Sequence, residues 1–159
     1  MKKAMLGFYL FAFVLQFNLP AQSMKIMSYN IRLDLAGDGK NNWENRKESM
    51  TDMLRWYKPS IVGIQEGLPH QVHYLDSCLV NYNFVGVGRD DGNEQGEFSA
   101  IYFDTTLFSV LTQSTFWLSD NSDTVSMGWD AAYRRICTYA LFLHKATKKK
   151  IWVFNTHFD

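Results

Sequence analysis

Ser60-Ile-Val-Gly-Ile-Gln-Glu66 decides the fold. The run is short, β-branched and uncharged until its last residue, and Pro59 bounds it on the other side. A strand that is apolar on both faces must be covered on both, so it reads as a buried parallel strand that delivers a carboxylate to its C-terminal end. Upstream, Lys25 to Leu33 reads as a second strand, ending in Tyr29-Asn30-Ile31-Arg32. Between them lies a loop of turn formers, Asp34 to Asn42, and then Trp43, Arg46/Lys47, Met50, Met53/Leu54 and Tyr57 at helical spacing. Asn42 stands where a helix cap is needed and Pro59 stops the helix. Strand, helix and strand within about forty residues make a βαβ unit.

Further along, Pro69 opens a second helix, to about Val80, and Tyr82 to Val87 follows as a strand. A polar loop, Gly88 to Gly96, leads to Glu97 and a strand from Phe98 to Phe103. Leu107 to Leu118, Ile136 to His144 and Lys150 to Phe158 read as further strands, the last two joined as a hairpin through Lys145 to Lys149. The first half is therefore α/β and the second antiparallel. Ser119 to Arg134 reads as a long irregular stretch.

A chain of 159 residues has room for one domain and, with 47% hydrophobic residues and three prolines, for a packed core. Formal net charge is zero and no basic stripe is present, so no stable nucleic-acid partner is expected, although a site can still bind phosphate locally. Residues 1–23 read as a secretory signal: Lys2-Lys3, a short apolar run from Ala4 to Leu15, and small residues at Ala21 and Ser23 before the cleavage point. A retained N-terminal anchor is the other reading. With cleavage, residues 24–159 form one exported domain, periplasmic or extracellular, with no transmembrane segment in the mature chain. Cys78 and Cys137 are too few for a disulfide framework and read as small buried hydrophobes.

Several residues could carry chemistry. Glu66, at the end of an interior strand, needs a cation or an arginine if it is buried; magnesium suits a lone carboxylate, and a surface lysine is the plainer partner. Asn30 and Arg32 close the neighbouring strand, where an amide can orient a metal-bound water and an arginine can clamp a phosphate, or where each can serve a turn or an edge. His157 ends the last strand between Asn155 and Asp159 and can move a proton near neutral pH. Glu97 could orient an imidazole from a neighbouring strand or be a solvated charge. His70 and His73 lie three apart on a helix with no evident third ligand, so exposure is the expected state. No P-loop, H-E-x-x-H, C-x-x-C, G-x-S-x-G or dinucleotide fingerprint occurs.

In this order the chain carries Met27-Ser-Tyr-Asn-Ile-Arg32, Asn42-Trp-Glu-Asn-Arg46, Ile61-Val-Gly-Ile-Gln-Glu66, Gly88-Arg-Asp-Asp-Gly92 with Gly96-Glu97, Ser99-Ala-Ile-Tyr102, Phe116-Trp-Leu-Ser119, Trp129-Asp-Ala-Ala132, Arg135-Ile136 and Asn155-Thr-His157. The set resembles the endonuclease/exonuclease/phosphatase family, its exported bacterial branch in particular. The resemblance implies a four-layer α/β/β/α sandwich. It implies a hydrolase of phosphoesters, a phosphodiesterase or phosphatase, with magnesium or manganese as cofactor and water as the attacking group. On the matching positions it implies Glu66 and Asn30 at the metal, His157, Glu97 and Asn30 in catalysis, and Arg32 and Arg135 in phosphate-binding or structural roles. The family's later motifs, Gly-Asp-x-Asn and a closing Asp-His pair, have no counterpart here. The resemblance therefore covers an N-terminal portion of the domain, with the sandwich incomplete at its C-terminus and the chain alone expected to be inactive. A rival expectation is an exported, non-catalytic ligand-binding module that keeps aromatic loops around Trp117 and Trp129.

Overall fold

The computed structural model describes residues 23–158, so the expected signal segment lies outside the described residues except for Ser23. Seven strands and two α-helices follow in the order β1 (Ile26–Asn30), α1 (Trp43–Tyr57), β2 (Ile61–Gln65), α2 (Pro69–Cys78), β3 (Tyr82–Val85), β4 (Ile101–Asp104), β5 (Phe108–Trp117), β6 (Ile136–His144) and β7 (Lys150–Thr156). They build two sheets, ordered β1-β2-β4-β3 and β5-β6-β7. Only β1 and β2 run parallel, with Asn30 opposite Gln65; β4 and β3 continue the sheet antiparallel.

The alternation of side chains along β2 explains the layering. Val62 and Ile64 face α1 and α2, packing with Trp43, Met50, Leu54, Val72, Leu75 and Tyr102. Ile61 faces the second sheet and joins Val85, Ile101, Phe103, Phe108, Ala140 and Phe142. Every residue of β2 is buried, as its uninterrupted apolar run requires. Helices, first sheet and second sheet are thus three stacked layers of the α/β sandwich. On the far face of the second sheet, Trp152 and Phe154 are 50% and 62% exposed; Phe154 stacks on Tyr139 and Trp152 packs tilted against it.

Gly63 and Gln65 share the inner face of β2 with Ile61, and there the sheets are joined by amides rather than hydrocarbon. Asn155 of β7 accepts a hydrogen bond from Gln65 Nε2 at 2.7 Å and donates to the carbonyls of Ile64 and Ala100 at 2.7 and 3.0 Å. Gly63 makes room for it: a Cβ there would stand 2.7 Å from Asn155 Oδ1.

Most expected elements form, with shifted ends. The α1 cap is Asn42, whose side chain accepts from Asn45 N. The helix closes on Lys58, in the left-handed conformation just before Pro59. β1 is shorter than Lys25–Leu33 because the backbone turns left-handed at Arg32 (φ 58°) and leaves the sheet. The loop after it contains a 3-10 turn, Ala36–Asn41, that the turn-rich composition did not disclose. The expected strand from Phe98 begins only at Ile101, because Phe98 makes isolated bridges to Gly67 and Gly88 instead of a ladder. Both cysteines are free thiols, Cys137 buried and Cys78 partly so. No helix among the described residues is long and apolar enough to cross a membrane.

Asn155→Ala removes three buried hydrogen bonds, leaving the Ala100 carbonyl with Ile64 N and the Gln65 amide with its longer contacts to Ser28 and Gly63, and Gly63→Ala drives a methyl into the Asn155 side chain. Each change is expected to cost about 2–4 kcal/mol in urea denaturation. In the Asn155→Ala background, Gly63→Ala should cost less than half of what it costs alone; additive losses would show that the two residues do not share one site.

Candidate active site

β1 and β2 end side by side, and both chains leave the sheet through left-handed residues. Arg32 has φ 58° and Glu66 φ 62°, a conformation that side chains seldom adopt and that neighbouring contacts must hold. Arg46 of α1 donates to the carbonyls of Ile31 and Arg32 at 2.6 and 3.0 Å, and Gln71 of α2 donates to the Arg32 carbonyl at 3.1 Å. Asn30 Oδ1 accepts from Arg32 N at 2.9 Å, closing the turn from inside.

That turn wraps the Glu66 carboxylate. Asn30 Nδ2 donates to Oε1 at 2.7 Å and Leu33 N donates to Oε2 at 3.0 Å. His157 Nε2 lies 3.9 Å from Oε1, brought there by the end of β7. Asn30 and Glu66, expected at adjacent strand ends, and His157, expected at the end of the last strand, meet at one end of the sandwich. Burial pushes the Glu66 carboxyl up. The Asn30 amide, the Leu33 N–H and the nearby positive charge of His157 and Arg32 outweigh it, and the net position is below the ordinary glutamate range.

The other expected residues lie nearby in different pairings. Arg32 does not offer its fork to a phosphate: Nε and Nη2 both bond Asp38, at 2.7 Å each. This bidentate pair raises Arg32 and lowers Asp38 through their hydrogen bonds. Glu97 does not hold His157. Its carboxylate is taken by Arg89 Nη2 at 2.9 Å, because the Gly88–Gly96 loop folds back and sets the two side by side. His157 Nδ1 is buried with no hydrogen-bond partner among the described residues. Arg135 lies 5.9 Å from the Tyr133 ring and, with Arg89, Glu97 and His157, lines one small recess. His70 and His73 share no ligand; they pair separately with Asp34 (3.1 Å) and Glu94 (2.8 Å). Of the two tryptophans that the ligand-binding alternative relied on, Trp117 is buried at the end of β5, with its indole N–H bonded to the Arg89 carbonyl at 2.8 Å, whereas Trp129 is exposed.

Sequence reasoning passed over Arg46, Gln71, Gln65 and Arg89. The available signal was a polar residue on an apolar face: Gln65 continues the Ile61–Gly63 face of β2, and Gln71 stands on the buried side of α2.

No cluster of three or more His, Cys, Asp or Glu is present among the described residues. The donor set is instead one ionised carboxylate beside one amide. That suits magnesium, which takes one or two protein oxygens and fills its octahedron with water and phosphate. Glu66 fits such an ion, with the Asn30 side chain beside it.

No family model matches the chain. Among solved structures, it is similar to an endonuclease/exonuclease/phosphatase from Bacteroides vulgatus at 42% identity and TM-score 0.84, over 86% of this chain and 52% of that one. It is similar to a mannosyl-6-phosphatase from Bacteroides thetaiotaomicron at 37% identity and TM-score 0.84, again over 86% of this chain and 52% of that one. Among curated proteins, an uncharacterized protein of Acanthamoeba polyphaga mimivirus is 29% identical over 124 residues, 74% of this chain and 46% of that protein. The chain thus spans about half the length of the relatives it matches.

A depressed carboxylate stabilises the fold at pH values above its unfolded pKa, and this contribution is lost as pH falls through the folded value. A carbon-detected NMR titration should accordingly place the Glu66 midpoint below the ordinary glutamate range. In Asn30→Ala the midpoint should rise, and acid unfolding should begin at higher pH. An unmoved midpoint in Asn30→Ala would remove the amide as the cause.

Proposed function

The chain belongs to the endonuclease/exonuclease/phosphatase family, and from that premise we propose that its site serves divalent-metal-dependent hydrolysis of a phosphoester. The observation that carries the reading is the ionised Glu66 held by Asn30 at 2.7 Å with the His157 imidazole 3.9 Å away. Solved relatives with phosphatase names share the fold at 36–42% identity.

In this reading Glu66, with Asn30 beside it, would hold magnesium or manganese, which when bound would neutralise charge on a phosphate oxygen. Asn30 fixes the Glu66 carboxylate through its NH2 group. Leu33 N–H keeps the second carboxylate oxygen in place. His157 Nε2 faces the same space, where it binds a phosphate oxygen or gives a proton to the departing alcohol. Arg32 has its fork on Asp38, so its role is structural: it ties the 3-10 turn to the end of β1. Glu97 remains beside His157 in the lining of one recess and orients the imidazole only after exchanging Arg89 for it.

The 159-residue chain alone is expected to lack useful catalysis. It contains no Gly-Asp-x-Asn segment and no Asp-His pair to position and activate water. An export signal in the first 23 residues, with action outside the cytoplasm, belongs to the same proposal.

The test is hydrolysis by the protein expressed from its complete reading frame, with Mg²⁺ and with EDTA. EDTA should abolish turnover. Glu66→Gln should lower kcat/KM by about 10²- to 10³-fold, a loss typical of removing one electrostatic contact to the transition state. EDTA-insensitive hydrolysis, or a Glu66→Gln enzyme within threefold of wild type, defeats the reading. So does hydrolysis by the 159-residue chain alone, as regards its expected inactivity.

A further inference from the structure

Arg46, in the first turn of α1, makes no hydrogen bond to a carboxylate among the described residues. Its guanidinium is given wholly to backbone carbonyls: Nε donates to Asn41 at 2.6 Å, Nη1 to Ile31 at 2.6 Å and Nη2 to Arg32 at 3.0 Å. The last two carbonyls belong to peptides whose N–H groups point the other way, into the site. The peptide between Ile31 and Arg32 accepts from Nη1 and donates through Arg32 N to Asn30 Oδ1 at 2.9 Å. The Asn30 amide then donates through Nδ2 to Glu66 Oε1 at 2.7 Å. The peptide between Arg32 and Leu33 accepts from Nη2 and donates through Leu33 N to Glu66 Oε2 at 3.0 Å. Two chains of amides thus start on one guanidinium and end on the two oxygens of one carboxylate. Gln71, 0% exposed, reinforces the second chain: Nε2 donates to the Arg32 carbonyl at 3.1 Å, while Oε1 is fixed by Leu68 N at 3.1 Å.

A hydrogen bond accepted by an amide oxygen makes the N–H of the same amide a stronger donor, and the effect accumulates along a chain. A cationic first donor polarises the chain more than a neutral one. Each chain therefore brings part of a positive charge to Glu66 while the guanidinium itself stays behind the strand ends. A guanidinium bonded directly to Glu66 would compete with a metal ion for the same oxygens, and one that acts through two peptides does not. We propose that Arg46 is the counter-cation of Glu66, acting through these two amide chains, and that it is a positioning residue for the metal the carboxylate would hold.

The metal half of the proposal rests on the hydrolase reading above, and the test separates the two. Arg46→Met removes the charge at similar length; Arg46→Lys keeps the charge and loses the fork. In the complete protein without metal, backbone NMR should show the Arg32 and Leu33 amide protons moving upfield in Arg46→Met, and by much less in Arg46→Lys. Gln71→Met should move the Leu33 proton and leave that of Arg32 in place. Mn²⁺ affinity, read by electron paramagnetic resonance, should fall about tenfold or more in Arg46→Met, as when a residue supporting a metal ligand is removed, and about threefold or less in Arg46→Lys. Adding Arg46→Met to Glu66→Gln should weaken Mn²⁺ little further, because the chains then end on no charge. Equal Mn²⁺ affinity in the Met and Lys variants, or an Arg46→Met affinity within about twofold of wild type, overturns the relay and leaves Arg46 a brace for the turn. If Arg46→Met does not fold, Gln71→Met decides: an unmoved Leu33 proton defeats the proposal. If Glu66→Gln binds Mn²⁺ as wild type does, the metal reading falls, and the amide protons alone judge the chains. Equal displacement in Arg46→Met and Arg46→Lys then sinks them.

Discussion

A single buried amide, that of Asn155, couples the two sheets, and the candidate site depends on it. Most of the other contacts between the sheets are apolar, and apolar contacts are non-directional: they press β7 towards β2 without fixing its position along the strand. The Asn155 side chain is directional. It must find Gln65 Nε2, the Ile64 carbonyl and the Ala100 carbonyl at once, and the hole over Gly63 admits it at one place only. Two residues further on stands His157. A slip of β7 by one residue would turn every side chain to the other face and carry the imidazole away from Glu66. A buried polar contact of this kind adds little net stability when it is satisfied, yet leaving it unsatisfied is costly. We therefore read the amide as the device that sets the register on which the site relies.

The same economy appears at the ends of β1 and β2. Left-handed Arg32 and Glu66 are each disfavoured, by about 1–3 kcal/mol on general grounds. What holds them is drawn from both helices and from the turn itself: Arg46 from α1, Gln71 from α2, Asn30 and Leu33 from within. The result is a carboxylate aimed out of the sheet end, where a straight strand would have turned it to one face or the other. Glu66 is the point at which backbone strain and charge converge.

Much of this was legible in the sequence, and the rest was hidden for identifiable reasons. Ile61 to Gln65 announced an interior strand because continuous apolarity has few other uses in so short a run. Asn42, the helical spacing from Trp43 and the break at Pro59 marked α1, since caps and periodicity are local. The meeting of Asn30 and Glu66 followed from parallel neighbours with a short offset. Gln65 and Asn155 stayed invisible as partners because they are 90 residues apart and each looks unremarkable in its own strand. Arg46 was counted as part of a helix face, since periodicity tells which side a residue takes and nothing about which carbonyl it reaches. The exchange of Glu97 from imidazole to Arg89 was equally hidden: it depends on how tightly the Gly88–Gly96 loop recloses, a matter of glycine conformations that composition permits and does not dictate.

The electrostatics of the site then point in one direction. A half-buried carboxylate with neighbouring donors has two ways to exist: protonated, with burial in control, or ionised, with donors in control. Glu66 is in the second condition, and the groups responsible are an amide, a backbone N–H and more distant positive charge, none of which forms a full ion pair with it. Arg32, which also lowers the Glu66 pKa, has its guanidinium paired with Asp38. The negative charge is thus made stable without being cancelled. A carboxylate designed for the fold alone would be better served by a bidentate arginine, which satisfies both oxygens and closes the account. One that keeps its charge without an arginine partner is what the proposed metal site requires.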